Sequence, residues 1–269
     1  MKLRSSKDIA LPNVVVAIDA DNTLWDTNTI FAKAQLHLLG LIETETKRLA
    51  IGNKLKFIRA IDQELARLHN YDLRYPPHIL VKATINVLLG LPLNEAARLA
   101  IDSKDSVSPD VSTYTAAFLG YLKTEIPRLR RGVRRGLAKL NSRNYHLVIV
   151  TESNHGRCGM FLEKHNLRKY IHSIYEVKKS TDAYKKLLLD FPNAEAKVMI
   201  GDQLDRDIIP AKHAAFFTIY FPGGFNPTWT PNQEPVWFDQ QISSFAEVPD
   251  IVDRYIDLEM SAPKAPISA

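Results

Sequence analysis

The chain has 269 residues, 35 Lys and Arg against 30 Asp and Glu, a formal net charge of +5 and a hydrophobic fraction of 45%. That length suits one large α/β domain or two smaller ones, and the composition is that of an ordinary globular protein. No run of about 18 apolar residues occurs, which excludes a helical membrane span, and the single cysteine, Cys158, excludes an internal disulfide framework.

The opening MKLRSSKDIA has basic residues with no apolar stretch behind them, so it does not read as a secretory signal. With the lone cysteine suiting a reducing compartment, the expectation is a cytoplasmic protein. The first strong element is Val14-Val15-Val16-Ala17-Ile18, a β-branched run that reads as a fully buried strand and delivers Asp19-Ala20-Asp21-Asn22-Thr23 at its end. From about Thr29 to Ile126 the pattern is helical throughout. Ile51, Leu55, Ile58, Ile61, Leu65 and Leu68 form one apolar stripe on a long helix. Pro76-Pro77 opens another helix, Asn94 caps a short one, and Ser112 to Lys123 forms the last. Such a stretch is too long for a single crossover and reads as an inserted helical domain.

Beyond it, Val133, Leu137 and Leu140 mark a helix ahead of the strand Leu147-Val148-Ile149-Val150, which runs into Thr151-Glu152-Ser153-Asn154. Phe161 and Leu162 mark a helix after it. Tyr184, Leu187 and Leu188 lie on a helix ahead of Lys197-Val198-Met199-Ile200, which ends in Gly201-Asp202. Phe217-Thr218-Ile219-Tyr220 is a fourth strand, followed by the turn-rich Phe221 to Trp229. This alternation predicts a doubly wound, Rossmann-like parallel sheet with the helical domain inserted after its first strand. The expected boundaries are 1–27 and 127–258 for the α/β core, 28–126 for the insertion and 259–269 for a loose tail.

Polar residues sit where each strand ends, which is where open parallel sheets bind ligands. Alternation along an extended strand would place Asp19 and Asp21 on one face. Two close carboxylates repel unless a proton or cation separates them, and a hard divalent ion such as Mg2+ prefers oxygen ligands. Asp202 supplies a further carboxylate, with Asp205 and Asp207 close behind. Lys178 and Lys179 offer charge to neutralise phosphate, and Thr151 offers a hydroxyl before a helix start suited to an anion. Each residue alone has an ordinary explanation as a turn former, a helix cap or a solvated lysine. Their ordered recurrence beside successive strands points instead to a site.

These stretches resemble the haloacid dehalogenase-like (HAD) hydrolase superfamily. Its first motif is matched by VVVAIDADNTLWD, its second by LVIVTES, its basic third by EVKKSTDAY, and its fourth, GDxxxxD, by GDQLDRD. The resemblance implies a phosphatase-type enzyme whose helical cap is the inserted domain. It further implies that Asp19 attacks phosphorus to give an aspartyl-phosphate, and that Asp21 protonates the leaving oxygen and then deprotonates water. Thr151 and the lysine would hold the phosphoryl oxygens, and Thr23, Glu152, Ser153 and Asn154 would line the phosphate or substrate site. Mg2+ would be held by Asp19, Asp21 (through its backbone carbonyl) and Asp202, with Asp207 in a positioning role and Thr23 fixing the rotamer of Asp19. Lys179 is preferred to Lys178 for its spacing to Tyr184, although Ser180 stands where the family often has proline. Pro210 also replaces a frequent glycine, and is tolerable in the first turn of a helix.

An Asp at position 21 is absent from the dehalogenases that name the family, so phosphate chemistry is expected. Phosphatase ranks ahead of phosphomutase or phosphotransferase, and the intact acidic set argues against a non-catalytic binding module. The implied partner is a small phosphorylated metabolite. The basic run Arg128, Arg130, Arg131, Arg134 and Arg135 reads as a solvated helix face, since no aromatic interleaving points to nucleic acid. No HExxH, GxxxxGK[S/T] or GxGxxG occurs, which removes zinc-protease and common nucleotide-cradle readings. Cys158 is expected to be a small buried side chain. The loop after Tyr220 is expected either to border the substrate mouth or cap hinge, or simply to pack on the surface. Lys47, Arg48, Lys54, Lys56 and Arg59 on the insertion are candidates for contacting an acidic substrate or for solvation alone.

Overall fold

The computed structural model describes residues 13–69, 75–103, 108–232 and 234–261. It divides into two compact units, one formed by Met1–Asp26 with Arg128–Ala269 and the other by Thr27–Pro127.

The first unit is built on six parallel strands: β1 (Val14–Ile18), β2 (His146–Thr151), β3 (Ser173–Glu176), β4 (Ala196–Gly201), β5 (Phe217–Tyr220) and β6 (Gln240–Gln241), in the order β3-β2-β1-β4-β5-β6. Strand β1 is central, with Val16 opposite both Leu147 and Val198. Because side chains alternate across a strand, its residues enter two different cores. Val14, Val16 and Ile18 pack with residues of α6 (Val133–Asn141), α7 (His155–Lys164) and α10 (Val248–Ser261). Val15 and Ala17 pack with Tyr184 and Leu187 of α8 (Thr181–Leu188) and Ala211 of α9 (Ile209–His213). Each fully buried Val or Ile side chain among them contributes roughly 1.5–3 kcal/mol.

Strands β3 and β6 were not legible in the sequence. None of the four β3 residues is fully buried, and both residues of β6 are exposed, so neither edge strand carries an apolar signature. The helix α10 extends through Ser261, so the first residues of the expected tail are helical; 262–269 lie outside the described residues.

Every element described in the second unit is a helix: α1 (Thr27–Thr46), α2 (Lys54–Leu68), α3 (Pro77–Leu88), α4 (Leu93–Asp102) and α5 (Pro109–Thr124). The stripe on α2 buries Ile58, Ile61 and Leu65, but it does not begin at Ile51, which is 92% exposed ahead of the helix. Asn53 starts α2 by accepting the Lys56 N–H at 2.9 Å. The buried Glu43 near the end of α1 takes the Ala50 N–H at 2.9 Å and the Lys54 ammonium at 2.6 Å, so Lys54 serves the fold of this unit. Asn94 lies inside α4 rather than capping it; Pro92 occupies that place. The last helix starts before Ser112 because Ser108 caps it, accepting the Val111 N–H. No helix among the described residues is long and apolar enough to cross a membrane.

Candidate active site

Strand β1 stops at Ile18, and the Asp19 N–H still donates to the Ile200 carbonyl at 2.9 Å, which fixes Asp19 beside the end of β4. The chain then turns sharply: Leu24 N–H donates to Ala20 O at 2.9 Å, Asn22 N–H donates to Trp25 O at 2.7 Å, and Asn22 has φ 60°. Asparagine is among the residues that tolerate this left-handed backbone. Asp21 is therefore on a turn, and strand alternation does not set its direction as the sequence pattern suggested. Its carboxylate accepts the Trp25 indole N–H at 2.9 Å and the Ser153 hydroxyl.

The second wall comes from β4. After Gly201 and Asp202 the backbone forms a single π turn, Leu204–Ile208, with Ile208 N–H donating to Gln203 O at 3.2 Å. Pro210 contributes to this shape, since it has no N–H to give the Arg206 carbonyl and its ring crowds that oxygen. The Tyr184 hydroxyl donates to the same carbonyl at 3.4 Å. Such π turns recur at functional sites. Here it aims Asp207 inward, where its Oδ2 accepts the N–H groups of Asp202 (3.2 Å) and Gln203 (3.0 Å). Gly201 makes room for this: a Cβ there would lie 2.2 Å from Asp207 Cβ.

Thr151 is buried at the end of β2 and its hydroxyl oxygen accepts the Ser153 N–H at 3.0 Å. Past β3, the Val177 N–H donates to Thr151 O at 2.9 Å and the Lys179 N–H to Glu152 Oε1 at 3.0 Å. These bonds turn Lys179 inward while Lys178 stays exposed. The Lys179 ammonium bridges Asp19 Oδ1 and Asp207 Oδ1.

All four groups are buried: Asp19 at 4%, Lys179 at 8%, Asp202 at 2% and Asp207 at 1% exposure. Burial opposes the charge on Lys179, but Asp19 and Asp207 outweigh it and hold its pKa well above the ordinary lysine value. Burial pushes the Asp19 carboxyl up to about 7 against the pull of Lys179, with Asp207 and Asp21 adding to the push. Asp202 is driven up in the same way, by burial first and by Asp19 and Asp207 next.

This arrangement fits a divalent cation. Asp19, Asp202 and Asp207 each present a carboxylate oxygen within 4.8 Å of the others. Three carboxylates face one ammonium, so the set lacks positive charge when ionised. Asp19 Oδ2 and Asp202 Oδ1 are buried and accept no hydrogen bond among the described residues, an arrangement that is costly without a further partner. Both oxygens of Asp207 are already engaged by donors, which suits a positioning role better than ligation.

Other expected residues fall less uniformly. Thr23 is fully buried, yet its hydroxyl makes no hydrogen bond among the described residues, to Asp19 or otherwise. Glu152 takes the Lys179 N–H and the Arg206 guanidinium (3.1 Å), so it braces the loops after β2, β3 and β4. Asn154 is exposed and caps α7, accepting the Arg157 N–H at 3.2 Å. Cys158 is buried in α7, and burial raises its thiol to about 12. The loop after β5 reaches the acids: a Cβ on Gly223 would lie 2.4 Å from Asp202 Oδ2.

The basic run is not uniformly the solvated face that the sequence pattern suggests. Arg128, Arg131, Arg134 and Arg135 are exposed, but Arg130 is half-buried and donates to three backbone carbonyls. Sequence alone gave no sign of this, nor of the Glu152–Arg206 pair, because the partners lie on loops distant in sequence.

The model of the haloacid dehalogenase-like hydrolase family matches residues 61–221, more than half of the chain, and begins downstream of Asp19 and Asp21. No curated protein matches the sequence. Among solved structures, a haloacid dehalogenase-like family hydrolase from Xanthomonas campestris is similar at 18% identity and TM-score 0.62, over 94% of this chain and 100% of its own. The HAD-hydrolase YfnB from Bacillus subtilis, bound to magnesium, matches at 18% identity and TM-score 0.60 over 90% of this chain and 99% of its own. A protein described as a phosphoglycolate phosphatase, from Haemophilus somnus, matches at 16% identity and TM-score 0.60 over 88% and 97%. The fold, the family match and the buried acidic set agree, and the chain belongs to the haloacid dehalogenase-like hydrolases.

Proposed function

We propose that this hydrolase is a magnesium-dependent phosphatase that cleaves a small-molecule phosphate monoester through an aspartyl-phosphate on Asp19. The carrying observation is the buried Asp19 carboxylate: one oxygen accepts from Lys179, the other accepts no hydrogen bond among the described residues, and Asp202, which also has such a buried oxygen, presents a carboxylate oxygen within 4.8 Å of one of Asp19. Asp19, Asp202 and the backbone carbonyl of Asp21 would hold Mg2+, which when bound supplies the positive charge that neutralises carboxylate and phosphate together.

In the first step an Asp19 oxygen forms a bond to phosphorus as the bond to the ester oxygen breaks. Asp21 gives its proton to that leaving oxygen and the alcohol departs. In the second step Asp21 takes a proton from water, whose oxygen attacks phosphorus and frees inorganic phosphate and Asp19. Ser153 and Trp25 fix Asp21 for both transfers. Lys179 and the Thr151 hydroxyl stabilise the phosphoryl oxygens, and such positioning and charge stabilisation carry most of the rate in phosphoryl transfer. Asp207 holds Lys179 in place. The buried thiol of Cys158 suits the cytoplasm, where we place the enzyme.

The test is release of inorganic phosphate from an aryl phosphate and a panel of metabolite phosphates, with and without Mg2+. Wild type should release phosphate only with Mg2+, and Asp19→Asn should lose roughly a thousandfold or more of that rate. Metal-independent release, or full activity of Asp19→Asn, would refute the reading. Transfer of phosphate to a second sugar hydroxyl in place of water would identify a phosphomutase.

A further inference from the structure

Arg130 lies outside the four motifs, yet its guanidinium donates to three backbone carbonyls on loops beside the acids. The segment carrying it runs antiparallel to residues 24–26: Trp25 pairs with Leu129, Arg130 N–H donates to Leu24 O at 2.9 Å, and Asp26 N–H donates to Arg128 O at 2.9 Å. Its side chain then crosses to two other places. One guanidinium nitrogen donates to the carbonyls of Asn22 and of Phe221 (3.0 Å), and the other to that of Pro222 (2.6 Å). The guanidinium also stacks on the Phe221 ring, 3.5 Å from its centroid.

These three carbonyls matter for the acids. Asn22 is the left-handed residue of the turn that follows Asp21, so its carbonyl marks the position of that turn. Phe221 and Pro222 immediately precede Gly223, the residue that sits directly against Asp202 Oδ2. A planar fork donating in fixed directions can hold two loops in register; a lysine has the charge but not that geometry.

We propose that Arg130 is a positioning residue that clamps the Asp21 turn to the Gly223 loop and thereby sets the spacing of Asp19, the Asp21 carbonyl and Asp202 as oxygen ligands. This rests on the magnesium reading above. Groups that orient metal ligands commonly change affinity about 10- to 100-fold when removed.

The experiment is calorimetric titration of MgCl2 into the full chain, which needs no substrate and no turnover, alongside thermal unfolding. Arg130→Lys should fold but bind Mg2+ about tenfold more weakly. Arg130→Ala should lose more, and added guanidinium at sub-denaturing concentration should restore part of its affinity, which a general packing defect would not allow. Wild-type binding with unchanged affinity in Arg130→Lys, or no rescue of a folded Arg130→Ala, overturns the clamp while leaving the phosphatase reading intact. Absence of Mg2+ binding by wild type overturns both.

Discussion

Replacing Gly201 by alanine isolates the contact on which the acidic cluster depends. The added methyl carbon would lie 2.2 Å from Asp207 Cβ, 2.4 Å from Cγ and 2.6 Å from Oδ2, so Asp207 has to retreat. No left-handed backbone is involved at Gly201, and the whole effect is steric. Overpacking of this kind costs about 1–3 kcal/mol. Displacing Asp207 also weakens bonds to Lys179, Asp202 and Gln203, and one charge-assisted bond lost adds about 1.5–3 kcal/mol. The sum, about 2.5–6 kcal/mol, corresponds to a fall in unfolding midpoint of roughly 5–20 °C for a chain of this size. Thermal unfolding followed by circular dichroism measures it. Gly159→Ala in α7 is the control: nothing lies within 4 Å of its added carbon. It should raise stability by about 0.5–1 kcal/mol through helix propensity alone. A Gly201→Ala midpoint within about 2 °C of wild type would show that Asp207 is not packed as described.

Two further predictions concern charge. In the metal-free chain Asp19 titrates near 7, above its unfolded value, because burial disfavours the anion. The native state then holds more protons than the unfolded state between the two values, so this contribution to stability falls as pH rises toward and through 7. Metal-free wild type should lose midpoint between pH 5 and 8 relative to Asp19→Asn, and Mg2+ should stabilise wild type more at the higher pH; parallel curves for the two proteins would contradict this. Glu152→Gln keeps an oxygen for the Lys179 N–H but loses the ion pair with Arg206. It should lower kcat severalfold with little change in KM, whereas a change in KM alone would make Glu152 a substrate contact after all.

Fold class and the approximate place of the site are legible in local residue patterns. Strands β1, β2 and β4 are long apolar runs because they are buried on both faces, and burial writes itself directly into residue type. Asp19, Thr151 and Asp202 were legible for the same reason, each being the first polar residue after such a run. Resemblance prefers Lys179 to Lys178 for its spacing to Tyr184; in the fold two N–H bonds turn Lys179 inward and leave Lys178 exposed, an orientation that no local residue pattern records.

Relations between residues far apart in the chain arise only in the folded molecule. The direction of Asp21 depends on a turn closed by Trp25 and on Ser153, 132 residues away. Arg130 reads as one more surface arginine until Asn22, Phe221 and Pro222 are brought to it. The edge strands β3 and β6 and the true start of α2 were hidden because half-exposed backbone pairing and side-chain caps leave no periodic apolar trace. Local sequence records burial well, but it does not record which distant carbonyl or carboxylate a polar side chain will meet, because that choice is made only when the sheet order is set.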